Sequence, residues 1–329
     1  MTMMTEPGDA GSALFDAAST AGPRIEGRSL GRIAWTRFKR DRVAVAAGVV
    51  IVLLVLMAVF AGQLAALSGN NPDTIDTNLI DPNLQVPIGG MGGISSHHWL
   101  GVDLLGRDLF SRIVYGARVS LLIAGASTLL AIVIGVLAGM VAGYFGGWID
   151  AVISRTMDVM LAFPVLLFAI SISGVLQNQA FGLSGDALHF TILIFIIGFF
   201  SWPYIGRIIR GQVIGIKERE YIEASRSLGA TPTRILFREI LPNLVAPILV
   251  YSTLLIPANI LFEAALSFLG VGVKEPTPSW GAMINTAIPY DIQDPEYFIV
   301  PGLAIFITVL AFNLFGDGLR DALDPRASR

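Results

Sequence analysis

The chain has no cysteine, which excludes a disulfide framework and a thiolate metal centre. Charge is scarce as well: Asp, Glu, Lys and Arg make up 14% of the 329 residues, where a soluble domain carries about a quarter. Three of the 22 basic residues are lysine (Lys39, Lys217 and Lys274), and none lies in a glycine-rich phosphate loop. No G-x-x-x-x-G-K-[ST], G-x-S-x-G or H-E-x-x-H sequence occurs. The chain therefore reads as non-enzymatic, with no catalytic residue and no cofactor of its own. Histidine is limited to His97, His98 and His189, and the adjacent pair lacks further ligands for a metal. The apolar runs hold no chain of acids and histidines, which argues against a proton-coupled transporter.

Apolar sequence fills the place of charge. Hydrophobic residues make up 54% of the chain and the mean hydropathy is +0.69. Runs of about 20 such residues point to an all-α, polytopic membrane protein. Residues 1–28 are too polar for a signal-peptide core. The first run, 43–67, would span about 37 Å as a helix and reads as a retained anchor. Six transmembrane spans are expected, near 43–67, 119–143, 157–176, 190–209, 243–268 and 299–317. The corresponding division is a tail at 1–42, a first helix at 43–67, an extracytoplasmic segment at 68–118, a core membrane domain at 119–318 and a second tail at 319–329.

Basic residues set the orientation. With the N-terminus inside, seven fall in 1–42, one in 144–156, seven in 207–238 and three after 318. The outside segments hold three in 68–118, none in 177–189 and one in 269–298. Both termini and the stretch 220–243 are therefore expected in the cytoplasm. Just before the first span, Leu30, Ile33, Trp35 and Phe38 alternate with Arg32, Arg37, Lys39 and Arg40. That pattern suits either a helix lying on the membrane surface or an ordinary basic flank.

Several local signals concern packing. The first half of 68–118 is rich in turn residues, and a helical period returns over 104–118, with Leu105, Leu109 and Ile113 on one side. Gly135, Gly139 and Gly143 lie four apart, so they share a helix face that a second backbone can approach. Pro164, Pro203, Pro257 and Pro301 fall within or at the ends of later spans, where kinks are tolerated. Glu263 is the strongest candidate for an intramembrane polar site, either as a functional carboxylate or as a structural hydrogen-bond partner.

The densest polar interruption is Glu220 to Asn243. Tyr221 to Leu228 favours helix, Gly229 can end it in a left-handed conformation, and Thr231-Pro232 can open a second helix over 233–240. A surface helix this short gains most of its stability by docking.

Four stretches carry a family resemblance. Glu223-Ala224-Ser225, Gly229 and Leu241-Pro242 resemble the EAA loop of ABC-importer permeases. Upstream lie His98-Trp99-Leu100-Gly101-Val102-Asp103, Gly106-Arg107-Asp108 and Tyr115-Gly116-Ala117-Arg118, followed by the turn from Ala142 to Asp150. Downstream come Leu266-Ser267-Phe268-Leu269-Gly270, Pro278-Ser279-Trp280-Gly281 and the tail from Gly316 to Pro325. Together they resemble the C-type permease subunit of the dipeptide, oligopeptide and nickel importers, over about 30–326. Two positions depart from the pattern: Ser225 replaces an alanine, and Glu239 takes the slot of an isoleucine, with Ile240 one place late.

The resemblance implies a type I ABC importer (MetI-like) permease fold in the bacterial inner membrane. It implies coupling to an ATPase through Tyr221, Glu223, Ala224, Ser225, Leu228 and Gly229. Implied partners are a second, B-type permease, two cytosolic ATPase subunits or one fused ATPase carrying ATP and Mg, and an extracytoplasmic solute-binding protein. The lipid bilayer is a partner and nucleic acid is not. Peptides are the implied substrate, with nickel chelates, glutathione and sugars as alternatives. An ion-coupled secondary transporter and a recruiting scaffold are the competing classes.

Overall fold

The computed structural model describes residues 30–323 apart from 90, 176–178, 181 and 291. In chain order the helices are α1 (Leu30–Phe38), α2 (Arg42–Val59), α3 (Ala61–Ser68), α4 (Leu109–Phe145), α5 (Gly147–Ala162) and α6 (Val165–Val175). Then come α7 (Gly185–Ile216), α8 (Glu220–Ser227), α9 (Pro232–Arg234), α10 (Leu241–Phe268), α11 (Trp280–Ala287) and α12 (Pro295–Leu323). A two-stranded antiparallel pair, Gln179–Ala180 with Leu183–Ser184, precedes α7. Among the described residues, five helical stretches are long and apolar enough to cross a membrane, and α5 with α6 makes a sixth if the bent pair counts as one span. The expected helical, multi-span architecture stands, with five or six candidate spans among the described residues.

Four local expectations change. The first span is not one helix over 43–67. Asp41 caps α2 through hydrogen bonds from the Val43 and Ala44 amides, and the helix stops at Val59; Phe60 then turns the chain into α3. The second span begins at Leu109 rather than 119. Asp108 caps it by accepting from the Ser111 amide at 2.8 Å, so the helical part of the 68–118 segment is continuous with the span and excludes Leu105. The third span is broken between Ala162 and Val165, where Pro164 offers no amide and the two axes differ by 77°. Finally, the expected helix over 233–240 is π-helical from Ile235 to Ile240. Of the expected tails, 1–29 and 324–329 lie outside the described residues.

Membrane helices associate through close packing rather than hydrophobic expulsion, so small residues mark their interfaces. Helices α4 and α7 pair on this basis. A Cβ added at Gly139 would lie 2.6 Å from the Gly206 carbonyl oxygen, and one at Gly135 would lie 2.7 Å from that of Trp202. The glycine stripe is thus an interhelical contact, as its spacing implied. Asp150 and Arg210 join α5 to α7 through two parallel hydrogen bonds of 2.5 and 2.6 Å, and further along α5 Asp158 pairs with Arg207.

A second cluster joins α4, α11 and α12. Trp280, fully buried, donates its indole N–H to the Ile113 carbonyl at 3.1 Å and packs with Leu109, Met283 and Tyr297. On α2, by contrast, Val49, Val52, Leu53 and Val59 are more than half exposed, as suits a helix bordered by lipid.

Candidate coupling site

The polar hairpin between α7 and α10 is built on one buried anchor. Ile222 of α8 is fully buried among Ile209 and Val213 of α7, Ile235, Leu236 and Ile240 of the π turn, and Leu244 of α10. Glu220 and Glu223 lie in the first turn of α8, where acids complement the helix dipole, and Arg226 lies in the last. Gly229 ends the helix at φ +82°, which a β-carbon would strain. The Gly229 amide bonds to the Arg226 carbonyl and the Ala230 amide to the Ser225 carbonyl, the paired bonds of a Schellman motif. Thr231 caps the next turn and Pro232 occupies its start.

Side chains then tie α8 to its neighbours. Ser225 Oγ donates to Glu239 Oε1 at 2.7 Å. Asn243 Nδ2 donates to the Glu239 carbonyl at 2.6 Å and to the Tyr221 hydroxyl at 3.3 Å. The Arg226 guanidinium lies 5.1 Å from the Tyr144 ring centroid, a cation–π contact with the end of α4. The helix is held on one side and bare on the other. Tyr221, Glu223, Ala224 and Leu228 are exposed, Leu228 at 89%.

All six residues singled out from the sequence therefore fall on this one hairpin. Four form its open face, Ser225 is a tether and Gly229 is the turn. Ile222, which the motif does not name, is the residue that seats the helix. A lone isoleucine in an eight-residue polar stretch was the available signal. The π turn also resolves the one-place shift of Ile240. In that turn the Leu241 amide bonds to the Leu236 carbonyl, five residues back, so the turn holds one residue more than an α-helical one. Ile240 is thereby returned to the buried face.

Glu263 lies elsewhere, fully buried in α10, and is not brought near the hairpin. Its Oε1 accepts from Ser267 Oγ at 2.7 Å, while Oε2 has no donor within hydrogen-bond geometry among the described residues; Ser120 and Ser279 are adjacent. Among the described residues its one hydrogen bond is thus within its own helix.

The end of the bundle near Trp280 holds a charge network that joins the upstream stretch, with His98, Asp103, Arg107 and Asp108, to Glu275. Arg112, fully buried, donates through Nη2 to both Glu275 oxygens at 2.9 and 3.0 Å. Arg107 joins Asp103 at 2.6 Å and Glu275 at 2.7 Å. His98 Nδ1 lies 2.9 Å from Asp108 Oδ1, so this histidine is engaged in capping the segment before α4. Nearby, neither oxygen of the buried Asp294 has a hydrogen-bond donor among the described residues. Burial, together with Glu296 and Asp103, raises its pKa to about 6.

Comparison with known proteins gives the family. Residues 135–329 match the model described as binding-protein-dependent transport system inner membrane component. Residues 29–87 match the N-terminal TM domain of oligopeptide transport permease C. The glutathione transport system permease protein GsiD of Pectobacterium atrosepticum is 43% identical over 292 residues, covering 89% of this chain and 90% of its own. That of Escherichia coli (strain 536) is 41% identical, covering 89% of each. Among solved structures, the inward-facing MetNI methionine ABC transporter aligns with a TM-score of 0.52 at 19% identity, over 66% of this chain and 98% of that one. That likeness concerns the fold, which is MetI-like. The chain belongs to the binding-protein-dependent inner membrane components, as a C-type, multi-pass permease subunit of a bacterial ABC importer.

Proposed function

We propose that this subunit moves peptides across the inner membrane and is driven through α8 by ATPase subunits on the cytoplasmic side. The chain itself carries out no hydrolysis. A B-type permease completes the pathway, a solute-binding protein delivers the cargo from outside, and two ATPase subunits or one fused ATPase carry ATP and Mg. The excess of basic residues around 220–243 supports a cytoplasmic position for the hairpin.

One observation carries the reading: α8 is rooted by Ile222 and presents Tyr221, Glu223, Ala224 and Leu228 outward. Shifting a two-state gate from 1:99 to 99:1 takes about 5.5 kcal/mol of differential binding. A helix fixed to α4, α7 and α10 transmits such a bias into the spans; a loose loop dissipates it. The test is reconstitution of the whole complex with Glu223→Arg or Gly229→Pro. Both variants are expected to insert normally and to hydrolyse ATP without matching uptake. Wild-type uptake from either would overturn the assignment. A cysteine replacing Arg226 tests sidedness separately, because labelling by an impermeant reagent from outside contradicts the orientation.

A second reading is favoured by the names of the relatives, which are glutathione permeases at 41–43% identity. Glutathione is a tripeptide, so the two readings share a mechanism. Uptake of labelled glutathione in competition with trialanine separates them.

A further inference from the structure

The break between α5 and α6 is flanked by apolar residues, Val159 to Ala162 before it and Val165 to Ile170 after it. Phe163 is extended there, with ψ 132°, and Pro164 offers no amide. The last turn of a helix leaves carbonyls without intrahelical partners, and here the Phe163 amide serves that of Met160. In hydrocarbon, irregular backbone is tolerated only where protein covers it or where it lines a water-filled cavity. This break opens onto a cleft of about 430 Å³ between α5–α6, α7 and α10. Leu161 and Phe163 line it at the break, Ser201 and Tyr204 on α7, and Tyr251 and Asn259 on α10.

The chemistry of that lining is specific. None of its residues is Asp, Glu, Lys, Arg or His. Its polar groups are hydroxyls and one carboxamide. Ser201 Oγ donates to Asn259 Oδ1 at 3.2 Å, and Asn259 Nδ2 donates to Thr128 Oγ1 at 2.9 Å, so the amide is fixed in orientation while only 2% exposed. Phe163 stacks on Phe200 at 5.5 Å, and Phe168 packs against both rings, which holds the break in one shape. Tyr204 remains 60% exposed beside it.

We infer that this cleft is a wall of the translocation pathway and receives the uncharged middle of a peptide, amide backbone against Ser201 and Tyr204 and side chains against Leu161 and Phe163. The inference rests on the permease reading above and names the surface on this chain that the cargo passes. A fixed charge here would hold one end of a zwitterionic peptide. A neutral wall engages the backbone weakly enough for release, as conduction requires.

The absence of native cysteine makes the test direct. Ser201→Cys, Tyr204→Cys and, as a lipid-bordered reference, Val52→Cys are each introduced into the complete complex in proteoliposomes. A small anionic methanethiosulfonate is applied to both faces, because it reacts only with thiols that water reaches. The pathway cysteines are expected to label roughly tenfold faster than Val52→Cys. Trialanine or S-methylglutathione, neither of which carries a thiol, should slow them severalfold and leave the reference unchanged. Labelling no faster than at Val52→Cys would overturn the proposal, since lipid or a partner helix would then cover the cleft. Fast labelling that neither peptide slows would overturn it too, as water without cargo. ATP-dependent uptake measured on the same vesicles reports the permease reading independently of both outcomes.

Discussion

Ser225 Oγ donates to Glu239 Oε1 at 2.7 Å, linking α8 to the π turn across 14 residues of sequence. These are the two positions at which the chain departs from the EAA pattern, and the departures answer each other. Serine supplies a donor and glutamate supplies the acceptor. A hydrogen bond to a charged group contributes about 1.5–3 kcal/mol. Because Glu239 Oε2 is already unpartnered, Ser225→Ala leaves the carboxylate with no side-chain donor. We expect Ser225→Ala to lower the uptake-to-hydrolysis ratio and Ser225→Ala with Glu239→Ile to recover part of it. A double-mutant cycle on melting temperature and uptake measures the coupling; simple additivity would refute the tether.

Seating and presentation are separable on α8. Ile222→Ala removes a fully buried anchor and should cost about 2–5 kcal/mol locally, seen as faster proteolysis of the hairpin. Leu228→Ala changes a side chain that is 89% exposed. It should leave proteolysis and melting unchanged and weaken only co-purification of the ATPase. Equal proteolysis of the two variants would contradict the anchor role.

The α4–α7 contact predicts a sharp positional contrast. Gly139→Val places carbon 2.6 Å from a backbone oxygen and cannot be relieved by a side-chain rotation, so the melting temperature should fall or the protein should fail to accumulate. Gly211→Val meets nothing within 4 Å and should match wild type or gain slightly in helix stability. Thermal melts of the purified chains decide between these outcomes.

Removing Glu275 takes the two-oxygen partner from a buried guanidinium, which keeps Asp103 at 3.5 Å and the carbonyls of Pro72 and Pro276. Both Glu275 oxygens accept from Arg112, so Glu275→Ala should destabilise, but by less than the about 3–5 kcal/mol of a buried charge left wholly unpaired, because Asp103 remains and Glu275 itself is partly exposed. Arg112→Met, which removes the charge with similar volume, should be milder. A melting series over Glu275→Ala, Arg112→Met and the double variant tests this, with the double expected to lie above Glu275→Ala.

Asp294 predicts a pH dependence with a definite sign. Its pKa is raised to about 6 by burial first, then by Glu296 and Asp103. A raised carboxyl pKa means that the folded protein binds the proton more tightly than the unfolded chain does. This group therefore destabilises the fold above pH 6, and stability recovers as pH falls through 6 toward the ordinary carboxylate range. Asp294→Asn should raise the melting temperature at pH 7.5 and flatten its change between pH 7.5 and 5.5. An unchanged slope would show that the carboxylate is solvated.

Much of this protein is decided along the chain. The apolar runs dictate membrane helices because each backbone polar group must be satisfied within its own segment. Gly229, Thr231 and Pro232 mark their turn because its dihedral angles suit those residues, and Gly135, Gly139 and Gly143 mark a contact face because their spacing repeats with the helix.

Tertiary structure decided the rest, because it depends on what lies opposite. Ile222 is an ordinary isoleucine until α7, the π turn and α10 close around it. The one-place shift of Ile240 has no meaning without the π turn that absorbs it. Arg112 and Glu275 stand 163 residues apart, and no local period announces a pair formed across the fold. The break at Phe163–Pro164 is visible in the sequence as a proline. That it opens on a neutral cleft shared with Ser201 and Asn259 follows only from three helices meeting, since a cavity is made by the space between segments and belongs to none of them.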